Sequence, residues 1–176
     1  MRKKSRKQEL KEFFFEHTQE RFRIRQIAKL LNISPSVVHK YTHELILEKI
    51  VHVFKFGNVL FYESNKTSSE FRLAKRQWNE RRLFEEGLVE YLKRKLGNPP
   101  IIVFGSYQRG ENISSSDIDI FIETPVKILI DLNLFEKKIG YPIQLFMHDK
   151  INKIKNKNLR NNVVNGTILN GALEVY

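Results

Sequence analysis

The sequence predicts an α+β protein in two parts: short helices and a hairpin first, a strand-and-helix domain second, with one long helix connecting them. Three observations carry this reading. Apolar spacing is helical up to about residue 50, turns β-rich over 51–63, and is helical again over 71–96. Gly57-Asn58 splits the β-rich stretch in two, and Gly97 with Pro99-Pro100 stops the later helical one. Beyond Pro100, an apolar run and an alternating segment read as strands.

Composition narrows the class. The 176 residues carry 31 Lys+Arg against 20 Asp+Glu, a formal charge of +11, and 41% hydrophobic residues including 13 Phe. Such apolar content supports packed cores and excludes wholesale disorder. No run of roughly 18 apolar residues occurs, and Phe13-Phe14-Phe15 is too short for a signal-peptide core, so a cytoplasmic protein without a membrane partner is expected. Absence of Cys removes disulfides and Cys-type zinc sites, leaving carboxylates, imidazoles and carbonyls as metal ligands. Residues 1–100 hold 22 basic and 12 acidic residues, whereas 101–176 hold nine and eight. The positive excess therefore sits in the first part, where it suits a polyanion held through phosphate contacts.

In that part, Lys7 to His17 reads as a helix with Leu10, Phe13 and Phe14 on one face. Gln26 to Leu31 gives a second helix ending near Asn32. Ser34-Pro35, a cap followed by proline at the first helical position, opens a third through Val37, Val38, Tyr41, Leu45 and Ile46. Val51–Phe56 and Val59–Glu63 form the hairpin. This order over residues 7–63 resembles a winged helix-turn-helix DNA-binding domain, here set at 1–65. Gln26 to Tyr41 matches its two-helix unit, with Ile27, Ala28, Leu31, Val38 and Tyr41 as interior positions. The resemblance implies double-stranded DNA as partner. It is met by Ser36, His39, Lys40 and His43 on the polar face of the third helix and by Lys55 near the wing tip. Ile50 stands where that family commonly carries Gly. His39 and His43 also have i,i+4 spacing for Zn²⁺, but no third ligand is evident, and the DNA-facing reading is preferred.

Ser68 or Ser69 caps the long helix of segment 66–98, which runs through Phe71, Trp78, Leu83, Leu88, Leu92 and Leu96 to Gly97. About 28 residues span roughly 40 Å, enough to link two domains, and the same helix could pair two copies as a homodimer.

In the second domain, 99–176, Ile101 to Phe104 reads as a buried strand running into Gly105-Ser106. Gly permits close backbone approach there, and Ser offers its hydroxyl and amide to a phosphate. In Ser116 to Glu123, strand alternation places Asp117 and Asp119 on one face and Ile118 and Ile120 on the other. Like charges so close raise a pKa unless a cation lies between them, and one or two carboxylates plus substrate phosphates suit Mg²⁺. Leu132 to Gly140 fits a helix and Tyr141 to Met147 the next strand. Val163, Val164, Ile168 and Leu169 are expected to pack a terminal helix on the sheet. The basic run Lys150, Lys153, Lys155, Lys157 and Arg160 reads as a solvated face.

Residues 101–123 resemble the signature of the DNA polymerase β-like nucleotidyltransferase superfamily, in particular its minimal branch. Gly105 and Ser106 match its phosphate-binding pair, Asp117 and Asp119 its metal-binding aspartates, and Arg109-Gly110 a frequent Arg-Gly. The resemblance implies a small mixed sheet with flanking helices, a nucleoside triphosphate as ligand, Mg²⁺ as cofactor, and transfer of a nucleoside monophosphate to a hydroxyl. In the minimal branch that hydroxyl often belongs to a toxin protein whose antitoxin is the transferase. Active members carry a third carboxylate on the later strand, and the matching position here is Gln144, with Asp149 or Asp131 as substitutes only under another register or helix placement. An amide coordinates through its carbonyl but brings no charge and no base. Two readings therefore stand: a Mg²⁺-dependent nucleotidyltransferase, and a DNA-binding regulator whose second domain is catalytically weak or senses nucleotide.

Overall fold

Ser5 opens the first helix by accepting the Gln8 amide on its hydroxyl at 3.2 Å. The computed structural model describes residues 4–174. Two compact units divide between Lys75 and Arg76. The first contains α1 (Arg6–Glu16), β1 (Arg21–Phe22), α2 (Ile24–Leu31), α3 (Pro35–Leu47), β2 (Val51–Phe56) and β3 (Val59–Ser64). Ser34 caps α3, with Pro35 in its first turn. The helix ends through Lys49 in the left-handed region (φ 58), which turns the chain so that Ile50 is buried at the start of β2. The strands form an antiparallel sheet in the order β1-β3-β2, with Phe54 opposite Phe61 and Arg21 opposite Glu63. β1 was not expected; at two residues it is too short to show a period.

Aromatic packing fills this unit. Phe13 lies on Phe14 and Phe22, with centroids 5.6 and 4.8 Å apart, and Phe15 meets Phe71 edge-on at 5.5 Å. Ile27, Ala28 and Val38 are buried as expected; Leu31 and Tyr41 are half-buried, and Thr42 takes an interior place instead. The Lys7 ammonium bridges Glu44 and Glu48 at 2.7 Å each, pinning α1 to α3, and those carboxylates push it up to about 12.

The single connecting helix does not form. α4 (Ser69–Glu85) ends before Gly87, whose φ of +78 belongs to the left-handed region, and α5 (Leu88–Leu96) starts afresh. Apolar spacing misses this break because Leu83, Leu88 and Leu92 all enter the same core despite it. The boundary between the units falls inside α4 rather than at either end of the 66–98 segment.

The second unit continues with β4 (Ile101–Phe104), α6 (Gly105–Arg109), β5 (Ile118–Glu123), α7 (Asn133–Ile139), β6 (Ile143–His148), a 3₁₀ turn (Ile151–Lys153), α8 (Lys157–Val164) and β7 (Thr167–Asn170). Its sheet runs β6-β5-β4-β7, with β5 and β6 parallel and the other pairs antiparallel, so the expected mixed sheet is present. The terminal expectation needs correction. Only Val163 is buried; Val164 is exposed, and Ile168 and Leu169 lie in β7, not in a helix. The unfilled hydrogen bonds of the β4 edge explain this: β7 supplies them, with Ile168 opposite Ile102.

Strand alternation gives the sheet two faces. Ile101, Val103, Ile118, Ile120 and Ile122 pack with α5 and α7 residues such as Leu88, Leu92, Phe135 and Ile139. Ile102, Phe104 and Phe121 pack on the other side with Ile151, Ile154 and Val163. Among the described residues, no helix is long and apolar enough to cross a membrane.

Candidate phosphate and cation site

β4 ends in a turn that only glycine fits. Gly105 has a φ of +75, and a Cβ built there would lie 3.3 Å from Asp119 Cγ and closer still to its Oδ2. The Asp119 carboxylate thus sits against the Gly105 backbone. Register explains why, since Phe104 is opposite Asp119 and Gly105 is the next residue. The half-buried Ser106 follows at once in α6.

Asp119 itself is half-buried, and Asp117, just before β5, is exposed. Burial raises the Asp119 carboxyl above its ordinary value of 3.8, the charge of Asp117 raises it further, and Arg109 acts in the opposite direction. Arg109 is exposed, and its Nε donates to Glu111 at 2.8 Å. Asp119 thus touches the turn, and Asp117 and Arg109 lie near enough for their charges to act on it. The fit to a divalent ion rests on this pair: Asp119, partly desolvated, with the charge of Asp117 acting on it.

On its other side, Asp119 is the register partner of Gln144 in the parallel β5–β6 pair, so the two side chains stand next to each other on one face. Gln144 is exposed. Neither substitute carboxylate reaches this place. Asp149 follows the far end of β6, where Lys153 pairs with it at 2.6 Å and holds its carboxyl low. Asp131 accepts the Asn133 amide at 3.0 Å, and its carbonyl accepts the Tyr91 hydroxyl, both groups belonging to elements that pack on the opposite face of the sheet. Among the described residues, no group of three or more His, Cys, Asp or Glu could hold a metal. A cation here would lean on two carboxylates and on whatever oxygens a ligand brings.

In the first unit, Ser36, His39, Lys40 and His43 are all exposed along one side of α3, and Lys55 is exposed two residues before Gly57. Glu44 of α3 and Glu48 just after it are occupied by Lys7 and Lys11 of α1.

Sequence reasoning missed the residues that hold α6 in place. Asn79 of α4 is fully buried; its Nδ2 donates to the Tyr107 carbonyl at 2.7 Å and to Asn112 Oδ1 at 2.9 Å, while the Tyr107 hydroxyl returns a bond to the Asn79 carbonyl at 3.3 Å. Thr167 of β7 donates to Glu80 and accepts from Arg76 and Gln108, at 2.9, 2.9 and 3.2 Å. One signal was available: Asn79 is a polar residue next to Trp78 and four before Leu83, both of which the helical spacing turns inward.

No curated protein and no solved structure matches the chain. Residues 85–170, from the end of α4 to β7, match the family model described as the nucleotidyltransferase domain, and that match supports the nucleotidyltransferase superfamily for this part of the chain, with nucleoside triphosphate binding as its implication.

Proposed function

We propose that the second unit transfers a nucleoside monophosphate from a nucleoside triphosphate to a hydroxyl, with Mg²⁺, and that the first unit is a winged helix that binds duplex DNA. One observation carries the catalytic half: the Asp119 carboxylate lies against the Gly105 turn, so a phosphate gripped by the turn is within reach of a cation on Asp117 and Asp119. Those two aspartates would hold the ion, which supplies charge to the α-phosphate and lowers the pKa of the attacking hydroxyl. Gly105 and Ser106 offer backbone amides and a hydroxyl to the β- and γ-phosphates, and Arg109 offers a guanidinium to the same charge. Asp119, raised by burial and by Asp117, gains most from a cation, because ionisation that is costly in the free protein becomes favourable in the complex. A partner protein's hydroxyl as acceptor, in a toxin–antitoxin pair, follows from the resemblance to the minimal branch.

A second reading is supported by Gln144 next to Asp119. With an amide where a base is needed, the second unit binds a triphosphate without rapid turnover, and duplex binding through Ser36, His39, Lys40, His43 and Lys55 becomes the activity.

Isothermal titration of the full chain with a non-hydrolysable triphosphate and Mg²⁺, alongside pyrophosphate release from the natural triphosphates, tests both. Binding that disappears in Asp117→Ala/Asp119→Ala supports the site, and pyrophosphate release selects the enzyme. Mg²⁺-independent binding, or binding unchanged in the double variant, defeats the proposal.

A further inference from the structure

The outer face of the β1-β3-β2 sheet carries an unusual set of side chains. Strand alternation and register put His52, Phe54 and Phe56 of β2 beside Phe61 and Glu63 of β3 and Arg21 of β1. The opposite face sends Val51, Tyr62 and Ser64 into the core. On the outer face the rings stack in series. His52 lies parallel to Phe54 with centroids 6.5 Å apart and an interplanar angle of 12°, and Phe54 lies on Phe61 at 5.7 Å and 19°. Two guanidinium groups cover the series, Arg21 at 4.8 Å from the Phe54 centroid and Arg23 at 5.8 Å from that of Phe61. Phe56, at the end of β2, is 76% exposed.

A guanidinium laid over a ring still shows its second planar surface to solvent. Glu63 holds the Arg21 Nε at 2.8 Å and fixes that plane, while Arg21 itself remains 63% exposed. Past the short β1, on the other face of the sheet, an open groove of about 620 Å³ is lined by Leu60 and Tyr62 together with Arg23, Ile24 and Arg25. Rings and guanidinium planes in a row, with the exposed Arg23 and Arg25 directly after β1, match the two demands of an unpaired strand: stacking surfaces for bases and positive charge along its backbone. An apolar partner protein is disfavoured, because two arginines lie over the rings and the unit's net charge is strongly positive. Glu63, the acid of this face, is paired with Arg21 and lies 3.5 Å from His52, so its charge is offset within the face, and the choice of DNA over RNA rests on the proposed function of the first unit.

We infer that the outer face of the β1-β3-β2 sheet binds single-stranded DNA, its bases stacking on His52, Phe56 and the ring-backed guanidinium planes, its phosphates following Arg23 and Arg25. Anisotropy titration of the full chain with fluorescein-labelled oligothymidylate, oligouridylate and a duplex of mixed sequence tests it. Oligothymidylate is expected to bind, and His52→Ala/Phe56→Ala to weaken that binding by about ten-fold or more while changing duplex affinity by less than about two-fold. Phe56→Trp, at an exposed position that does not threaten folding, should retain affinity and show tryptophan quenching on addition of oligothymidylate. Three results would each overturn the inference: no binding of oligothymidylate with an unquenched Phe56→Trp, tighter binding of oligouridylate than of oligothymidylate, or equal loss of single-strand and duplex affinity in the double variant.

Discussion

At Gly105 two constraints meet in one residue: a left-handed backbone, and an Asp119 carboxylate occupying the place a Cβ would take. Gly105→Ala must therefore displace Asp119 as well as strain the turn. The expected cost is at least about 1 kcal/mol, read as a lower urea midpoint at unchanged m-value, together with loss of triphosphate binding. Asp119 gives a pH-dependent counterpart. Because its folded pKa lies above the ordinary 3.8, its share of stability is fully present below that value and is lost as pH rises through the folded value. At neutral pH ionised Asp119 therefore weakens the free protein. Asp119→Asn should raise the Tm at pH 7 without added ligand, lose that advantage as pH falls into the carboxylate range, and abolish any stabilisation by triphosphate with Mg²⁺. A variant that is less stable at pH 7 and still stabilised by ligand would contradict this. The sequence predicts that Asp117 and Asp119 share a strand face, whereas Asp117 lies just before β5; nor does the sequence show that Asp119 touches the turn, because that contact depends on Phe104 and Asp119 being opposite each other across two strands.

Elements fix the site through register. Pairing of Asp119 with Gln144 follows from the β5–β6 alignment, and a slip by one residue would send Gln144 to the opposite face. Gln144→Glu keeps the shape and adds a carboxylate beside Asp119. It is expected to lower the Tm of the free protein, to tighten Mg²⁺ binding on the order of ten-fold, and to accelerate pyrophosphate release if the base is what is lacking. Thermal shift against a Mg²⁺ series measures the first two directly; a Tm and Mg²⁺ dependence identical to the parent chain would show that residue 144 does not face the pair. Helix existence was legible where caps and spacing agreed, as at Ser34-Pro35 for α3. The Gly87 break was not, because a glycine within an apolar period looks the same whether the helix continues or restarts, and the choice is made by packing of Leu83, Leu88 and Leu92 into one core. β7 was missed for a related reason: Thr167 to Asn170 becomes a strand only because β4 offers it an edge.

For the whole molecule, charge divides with the chain. Residues 1–75 hold 16 basic and eight acidic residues, and 76–176 hold 15 and 12. Duplex affinity of the full chain should fall linearly on a log–log plot against salt, and Lys40→Ala should reduce that slope by about 0.9 without altering sequence preference. Fluorescence anisotropy across a salt series checks it, and an unchanged slope would remove α3 from the interface. By itself the sequence determined what depends on neighbours along the chain: caps, periods, the two-part charge, a Gly-Ser turn and an Asp-x-Asp strand. Tertiary structure alone decided what depends on distant residues meeting. It placed the Asp119 carboxylate against Gly105 and next to Gln144, engaged Asp149 and Asp131 elsewhere, fixed α6 through Asn79, and stacked arginines on rings from separate strands. The reason is physical: hydrogen-bond register and core packing are set by partners many residues away, and no local pattern encodes which partner each strand will find.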